Sequence, residues 1–185
     1  MGTDLKWKIG VSGSAENNCT PGAYAKSFDV GKAIARAGAI TVTGDTRGIP
    51  YEAARGAKDA LGITIGISPA TSRREHVKKY RLPDRNMDLV MYTGFEYSGR
   101  NLLFIRACDA VIFICGRIGT LNEFTIAFED KKPIGILTGT GGISEEIDHI
   151  LKVAKRGHGK VIADDDPKRL VTRLLRAVKA DAKMG

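Results

Sequence analysis

The sequence predicts an α/β fold, a single-domain Rossmann-like three-layer sandwich with a mainly parallel sheet. Three observations carry the prediction. Short runs of unbroken apolar residues alternate with helix-patterned stretches along the whole chain, as expected of strands buried on both faces between right-handed crossover helices. Three of those runs end in glycine-bearing loops, at Gly13-Ser14, Gly44-Asp45 and Gly116 to Gly119. In such sheets ligands sit beyond the C-terminal strand ends, so these loops are expected to converge on one crevice. No internal repeat, low-complexity tract or linker interrupts the alternation, so residues 1–185 read as one Rossmann-like domain.

The elements follow in order. Lys8 to Val11 reads as the first strand, ending at Ser12-Gly13-Ser14. Pro21 to Gly38 reads as a helix with Tyr24, Phe28, Gly31 and Ala35 on one face. Ala39 to Thr43 is the second strand and leads into Gly44-Asp45-Thr46-Arg47-Gly48. A helix starts near Pro50, whose missing N–H costs nothing in a first turn. Gly62 to Ile67 is the third strand, and the basic segment Ser72 to Arg85 reads as a loop with a short helix. Asp88 to Tyr92 is the fourth strand and Tyr97 to Cys108 a helix. Ala110 to Ile114 is the fifth strand, Pro133 to Leu137 the sixth, and Ser144 to Lys155 a helix. Val161-Ile162 is a short last strand. Asp166-Pro167 then opens a final helix with an apolar stripe of Leu170, Val171, Leu174, Leu175 and Val178.

Composition narrows the function classes. With 43% hydrophobic and 27% charged residues the chain is neither disordered nor fibrous. No apolar run approaches the roughly 18 residues of a membrane span, and the N-terminus lacks the apolar core of a signal peptide. Gly2 alone would suit myristoylation, but Lys6 stands where that motif needs Ser or Thr. Cys19, Cys108 and Cys115 form no CxxC pair and cannot all pair with one another. Cys108 and Cys115 read as small core thiols, which fits a reducing cytoplasm. The net charge of +8 favours anionic partners, phosphates before nucleic acid. Its two concentrations, Arg73 to Arg85 and Lys152 to Lys183, are not interleaved with the aromatics of a single-strand platform.

The stretch Asp109 to Glu123, DAVIFICGRIGTLNE, joins a buried strand, a glycine-bearing loop and a helix start. Unpaired N–H groups and the positive end of the helix dipole then face one point, which makes an anion site. Thr120 and Glu123 have the spacing of a capping box; the alternative is that Glu123 turns into the crevice to stabilise an oxocarbenium-like centre, activate water or act as nucleophile. Arg100, at a predicted helix start where a cation opposes the dipole, either answers an anion or lies exposed. Arg117 either clamps a phosphate with its fork or turns to solvent. Asp45 ends the second strand, a common place for a ribose-binding acid, or else caps the turn before Pro50. His76, His149 and His158 have no ligand spacing, so no metal site is expected. A G-x-G-x-x-G fingerprint after the first strand, a Walker A motif and a G-x-S-x-G elbow around Ser12 are all missing.

These residues resemble the LONELY GUY-type Rossmann-like nucleotide-binding family, long misnamed "possible lysine decarboxylases". The hallmark P-G-G-x-G-T-x-x-E is matched by Cys115 to Glu123 at Gly116, Gly119, Thr120 and Glu123, with Arg100 as the upstream arginine. Gly13-Ser14 and Gly44…Gly48 match the family's first two loops, and Tyr92-Thr93-Gly94 and Lys132-Pro133 add to the likeness. The chain is most similar to a short bacterial and archaeal branch related to molybdenum cofactor carrier proteins. It departs from the pattern at Cys115 for proline, at Arg117 for the second glycine, and at Asp45 and Thr46 for glycines.

The resemblance implies a homodimer or higher homo-oligomer and a site for a nucleotide 5′-monophosphate; no bound cofactor is expected. Carried over by position, Glu123 and Arg100 would be the catalytic carboxylate and its orienting partner. Gly116, Gly119 and Thr120 would hold the 5′-phosphate and Gly13, Ser14, Gly44 and Gly48 would line the neighbouring loops, while Asp45 and Arg117, which depart from the family pattern, join the nucleotide site on the reading of their own positions given above. Two functions follow. One is a phosphoribohydrolase that cleaves the N-glycosidic bond of nucleoside 5′-monophosphates to free base and ribose 5-phosphate. The other is a non-catalytic carrier or sensor of a phosphorylated ligand, such as molybdenum cofactor or a nucleotide, which the substituted loops motivate. Nothing supports lysine decarboxylation, since no lysine occupies a recognisable pyridoxal phosphate site.

Overall fold

Apolar runs bounded by glycine loops become seven parallel strands in a computed structural model, which describes residues 5–16 and 18–183. Gly2 lies outside the described residues. The strands are β1 (Lys8–Gly13), β2 (Ile40–Thr43), β3 (Thr64–Ser68), β4 (Leu89–Tyr92), β5 (Ala110–Ile114), β6 (Ile134–Leu137) and β7 (Val161–Asp164). They lie in the order β4-β3-β2-β1-β5-β6-β7, all parallel. Strand order therefore reverses between β1 and β5, which pair from Ile9↔Ala110 to Gly13↔Ile114. That junction is the switch point at which a crevice opens in sheets of this kind.

The helices are α1 (Ala23–Arg36), α2 (Ile49–Asp59), α3 (Arg73–Lys78), α4 (Glu96–Ala107), α5 (Ile118–Glu129), α6 (Ile147–Val153) and α7 (Pro167–Asp181). Alternate residues of β5 feed two cores, as a strand period of two requires. Ala110, Ile112 and Ile114 pack with Ile9 and Val11 against Val30 and Ile34 of α1 and Leu170 and Leu174 of α7. Val111 and Phe113 pack on the other face with Phe104 of α4 and Phe124 of α5. The final helix begins as expected: Asp166 accepts from Arg169 N (2.6 Å) and Pro167 follows. Its whole apolar stripe is buried. Among the described residues no helix is long and apolar enough to cross a membrane.

Two expectations are corrected. The buried face of α1 is Ala23, Ser27, Val30, Gly31 and Ile34, not the Tyr24 and Phe28 face. Close approach of α2 selects it: Ser27 Oγ donates to the Ile49 carbonyl (2.7 Å), and a side-chain carbon on Gly31 would overlap the Ala53 carbonyl. Gly31→Ala is accordingly expected to cost about 1–3 kcal/mol through overpacking, measured by urea unfolding. The second correction concerns the thiols. Cys108 is buried and free, but Cys115 is bonded to Cys19 across 96 residues. The two loops converge enough to bring their Cα atoms to 5.7 Å, within disulfide reach. The free-thiol ground for a reducing cytoplasm is thereby removed.

Candidate functional site

At the switch point the floor of the crevice is a buried ion pair. Arg100 Nη1 of α4 donates to Glu123 Oε1 of α5 at 2.9 Å, with Arg100 4% and Glu123 7% exposed. Ser12, at the C-terminal end of β1, donates its hydroxyl to Glu123 Oε2. The Asn101 amide, oriented by its neighbours, donates to Glu123 Oε1 at 2.8 Å and to the Tyr97 carbonyl at 2.9 Å. Both oxygens of Glu123 are thus engaged. Burial raises its pKa, against the opposing pull of Arg100 and the Ser12 hydroxyl. Gly44 serves this pair: a side-chain carbon there would overlap the Arg100 guanidinium.

The wall beside it is the loop after β5. Cys115 takes a positive φ of 56° and Gly116 one of 97°, a left-handed turn that glycine supplies freely and cysteine at a cost. A fixed scaffold holds the turn: Thr140 Oγ1 accepts from Cys115 N (2.9 Å), and Cys115 O accepts from Ser144 N (2.9 Å). Ile143 N reaches Gly116 O at 3.0 Å. Helix α5 then starts at Ile118 with Arg117 as N-cap, no side-chain cap and no acidic residue in its first turn. Its opening N–H groups and dipole are left available to an anion.

Thr120 and Glu123 therefore do not form a capping box, because the helix begins two residues before Thr120. Both turn to the cleft. A side-chain cap forms instead at α3: Ser72 Oγ accepts from Glu75 N (3.3 Å), and Glu75 Oε2 reaches past the N-cap to accept from Thr71 N (2.7 Å).

The three glycine loops do converge. Gly13, Ser14, Gly44, Arg117, Gly119 and Thr120 line one cleft of about 210 Å³ with Arg100 and Glu123. Arg117 reaches over the mouth to an ion pair with Glu16 of the first loop. Gly116 and Gly48 lie outside the lining but against it: a side-chain carbon on Gly116 would overlap Thr120 and one on Gly48 would overlap the Ser14 carbonyl, which accepts from Ile49 N (2.9 Å).

Asp45 is brought close but turned away. It is 1% exposed, with its carboxylate against Gly66 of β3 and 3.7 Å from His76 Nε2. Burial raises its pKa to about 6, more than His76 and Arg100 lower it. His76 Nε2 meets the Pro83 carbonyl (2.9 Å) and Nδ1 meets Ser68 Oγ (2.9 Å). A carbonyl only accepts, so Nε2 carries the hydrogen of that contact.

Sequence reasoning missed Ser12, Asn101, Tyr97 and Glu16, all of which line the cleft. The signal for Ser12 is its place as the last inward-facing residue before the β1 glycine; the others emerge only once helices and loops are packed. Among the described residues no cluster of three or more His, Cys, Asp or Glu side chains could hold a metal ion.

Comparison with known proteins agrees with the fold. The profile of the SLOG cluster4 family matches residues 6–171. An uncharacterised protein of Archaeoglobus fulgidus is 29% identical over 130 residues, 70% of this chain and 79% of that one. The molybdenum cofactor binding protein of the phototrophic bacterium Rippkaea orientalis superimposes with a TM-score of 0.76 at 27% identity, covering 96% of this chain and 99% of its own. The molybdenum cofactor carrier protein of Chlamydomonas reinhardtii gives 0.74 at 26% identity, covering 95% and 99%.

Proposed function

The chain belongs to the SLOG cluster4 family, and from that premise we propose that it binds a phosphorylated small molecule in the switch-point cleft and carries it without turning it over. The observation that carries this reading is the uncapped start of α5, open to the cleft above a carboxylate whose oxygens are both engaged. A phosphate would accept hydrogen bonds from the first N–H groups of α5 and from the Thr120 hydroxyl, with Arg117 supplying positive charge at the rim. Glu123, held by Arg100, Asn101 and Ser12, would serve as a fixed floor that keeps Arg100 in place. The likeness to two molybdenum cofactor proteins over nearly their whole length supports a phosphorylated pterin as cargo, and a nucleotide 5′-monophosphate offers the same phosphate handle.

A second reading rests on the Arg100–Glu123 pair itself. A carboxylate held beside a sugar stabilises positive charge developing at the anomeric carbon. Water would then replace the base, giving ribose 5-phosphate.

One experiment separates the two. The protein is incubated with molybdenum cofactor and, in parallel, with a panel of nucleoside 5′-monophosphates. Molybdenum retained through gel filtration and free base released are then measured for wild type and Glu123→Gln. Carriage predicts molybdenum at near one equivalent and no base from any nucleotide. Base released by wild type but not by the variant would replace carriage with hydrolysis.

A further inference from the structure

The Cys19–Cys115 disulfide joins the two loops that face each other across the cleft mouth. Cys115 heads the anion loop and is fully buried, with its backbone N–H and carbonyl both held by the Thr140–Ser144 segment. Cys19 lies on the first loop, past Ser14, Ala15 and Glu16 of the cleft lining, and is only half-buried. The Arg117–Glu16 ion pair crosses the same gap. Around Cys19 the chain is secured at its ends: Ser14 O accepts from Ile49 N (2.9 Å), and Thr20 bonds to Thr140 O and Gly139 O at 3.1 Å each. Between those anchors the loop is braced on its own side, where Glu16 O accepts from Tyr24 Oη and Ser14 Oγ at 3.0 Å each; among the described residues, the covalent link and one exposed ion pair tie Glu16 and Cys19 to the anion loop. An exposed ion pair contributes little by itself.

We propose that this disulfide is a reducible clamp on the cleft, so that reduction by a dithiol loosens the first loop and speeds release of a bound phosphorylated ligand. The release part rests on the cleft being the ligand site. The chemistry is directional. A thiolate of the dithiol attacks the reachable Cys19 sulfur, the S–S bond breaks, and its electron pair leaves on the Cys115 sulfur, which takes up a proton. The second thiol of the reductant then displaces Cys19, leaving two cysteine thiols and the oxidised reductant. Cys108 does not take part: it is fully buried, and burial pushes its thiol well above the ordinary range. The reduced state gives up preorganisation of the mouth, which acts mainly on the dissociation rate.

The test uses the full chain, oxidised or treated with dithiothreitol, its thiols counted by alkylation and mass spectrometry. Hydrogen exchange is followed in peptides covering residues 14–20 and 116–120, with the β6 and α7 peptides as controls. Reduction is expected to add two alkylatable thiols and to speed exchange in residues 14–20 at least tenfold while the controls stay unchanged. Cys19→Ser should match the reduced protein with or without dithiothreitol. Exchange equal within twofold in both redox states would overturn the clamp, as would three free thiols in the air-oxidised protein. Adenosine 5′-monophosphate serves as the ligand probe, with release at least fivefold faster from the reduced form expected and equal rates overturning the regulatory step. Failure of this probe to bind either form counts against the nucleotide reading alone, and exchange then decides the clamp.

Discussion

Glu123→Ala is expected to lower the unfolding free energy by about 3–5 kcal/mol, the usual cost of stranding one member of a buried ion pair. The stranded group is Arg100, 4% exposed, whose Nε already lacks a hydrogen-bond partner. Without Glu123 its Nη1 loses the 2.9 Å carboxylate contact as well, and the Ser12 hydroxyl and the Asn101 amide lose their acceptor. A buried charge then has no counter-charge at hydrogen-bond distance. Adding Arg100→Leu to the same chain should recover most of the loss, because a leucine asks for no partner in that space. Urea unfolding of the wild type, both single variants and the double gives the coupling energy. Additive losses would mean that solvent reaches the pair and that the cleft floor is not the dry, fixed surface described above. Glu123→Gln keeps the shape and one acceptor oxygen, so it should lose less than alanine, which makes it the proper variant for activity measurements.

Much of this architecture is legible in the sequence. Unbroken apolar runs placed all seven strands, and Asp166-Pro167 placed the start of α7. The convergence of three glycine loops is expected from their places at C-terminal strand ends, and the structure brings them together because β2, β1 and β5 are neighbours in the sheet. What was not legible depends on approach distances. Tyr24 and Phe28 look like the inner face of α1, yet α2 lies so close that only Ser27 and Gly31 fit between the backbones. The Thr120–Glu123 spacing looks like a capping box, yet the helix starts at Ile118, which rotates both residues into the cleft. The Cys19–Cys115 link joins residues 96 apart and depends on how two loops fold over the mouth. Asp45 follows β2 as the sequence reads, but there the backbone takes a positive φ of 53° and the carboxylate lies against Gly66 of β3 rather than in the cleft.

That misdirected carboxylate carries the second large effect. Asp45 is raised from 3.8 to about 6 by burial, so between about pH 4 and pH 6 the folded chain holds a proton that the unfolded chain has released. Stability from this group therefore falls as pH rises through that window and stays reduced above it. The rise from 3.8 to about 6 corresponds to about 3 kcal/mol, and with the side chain 1% exposed solvent screening removes little of it. Asp45→Asn keeps the size and tolerates the left-handed backbone, and it cannot ionise. The variant should be close to wild type at pH 4 and more stable by up to about 3 kcal/mol at pH 7. The difference between the two unfolding curves against pH isolates the effect. Carboxylates such as Asp164, pulled well below their ordinary range by Arg169, push wild-type stability the other way but cancel in that difference. His76, Arg100, Asp84 and Tyr92 all act electrostatically on this pocket or are acted on by it, so a His76→Gln control separates the contribution of the imidazole. A difference curve that is flat from pH 4 to pH 7 would mean that Asp45 is hydrated in solution. Its orphaned Oδ2 would then have found water, and the loop carrying Gly44 and Thr46 to the cleft would be looser than its packing under Arg100 requires.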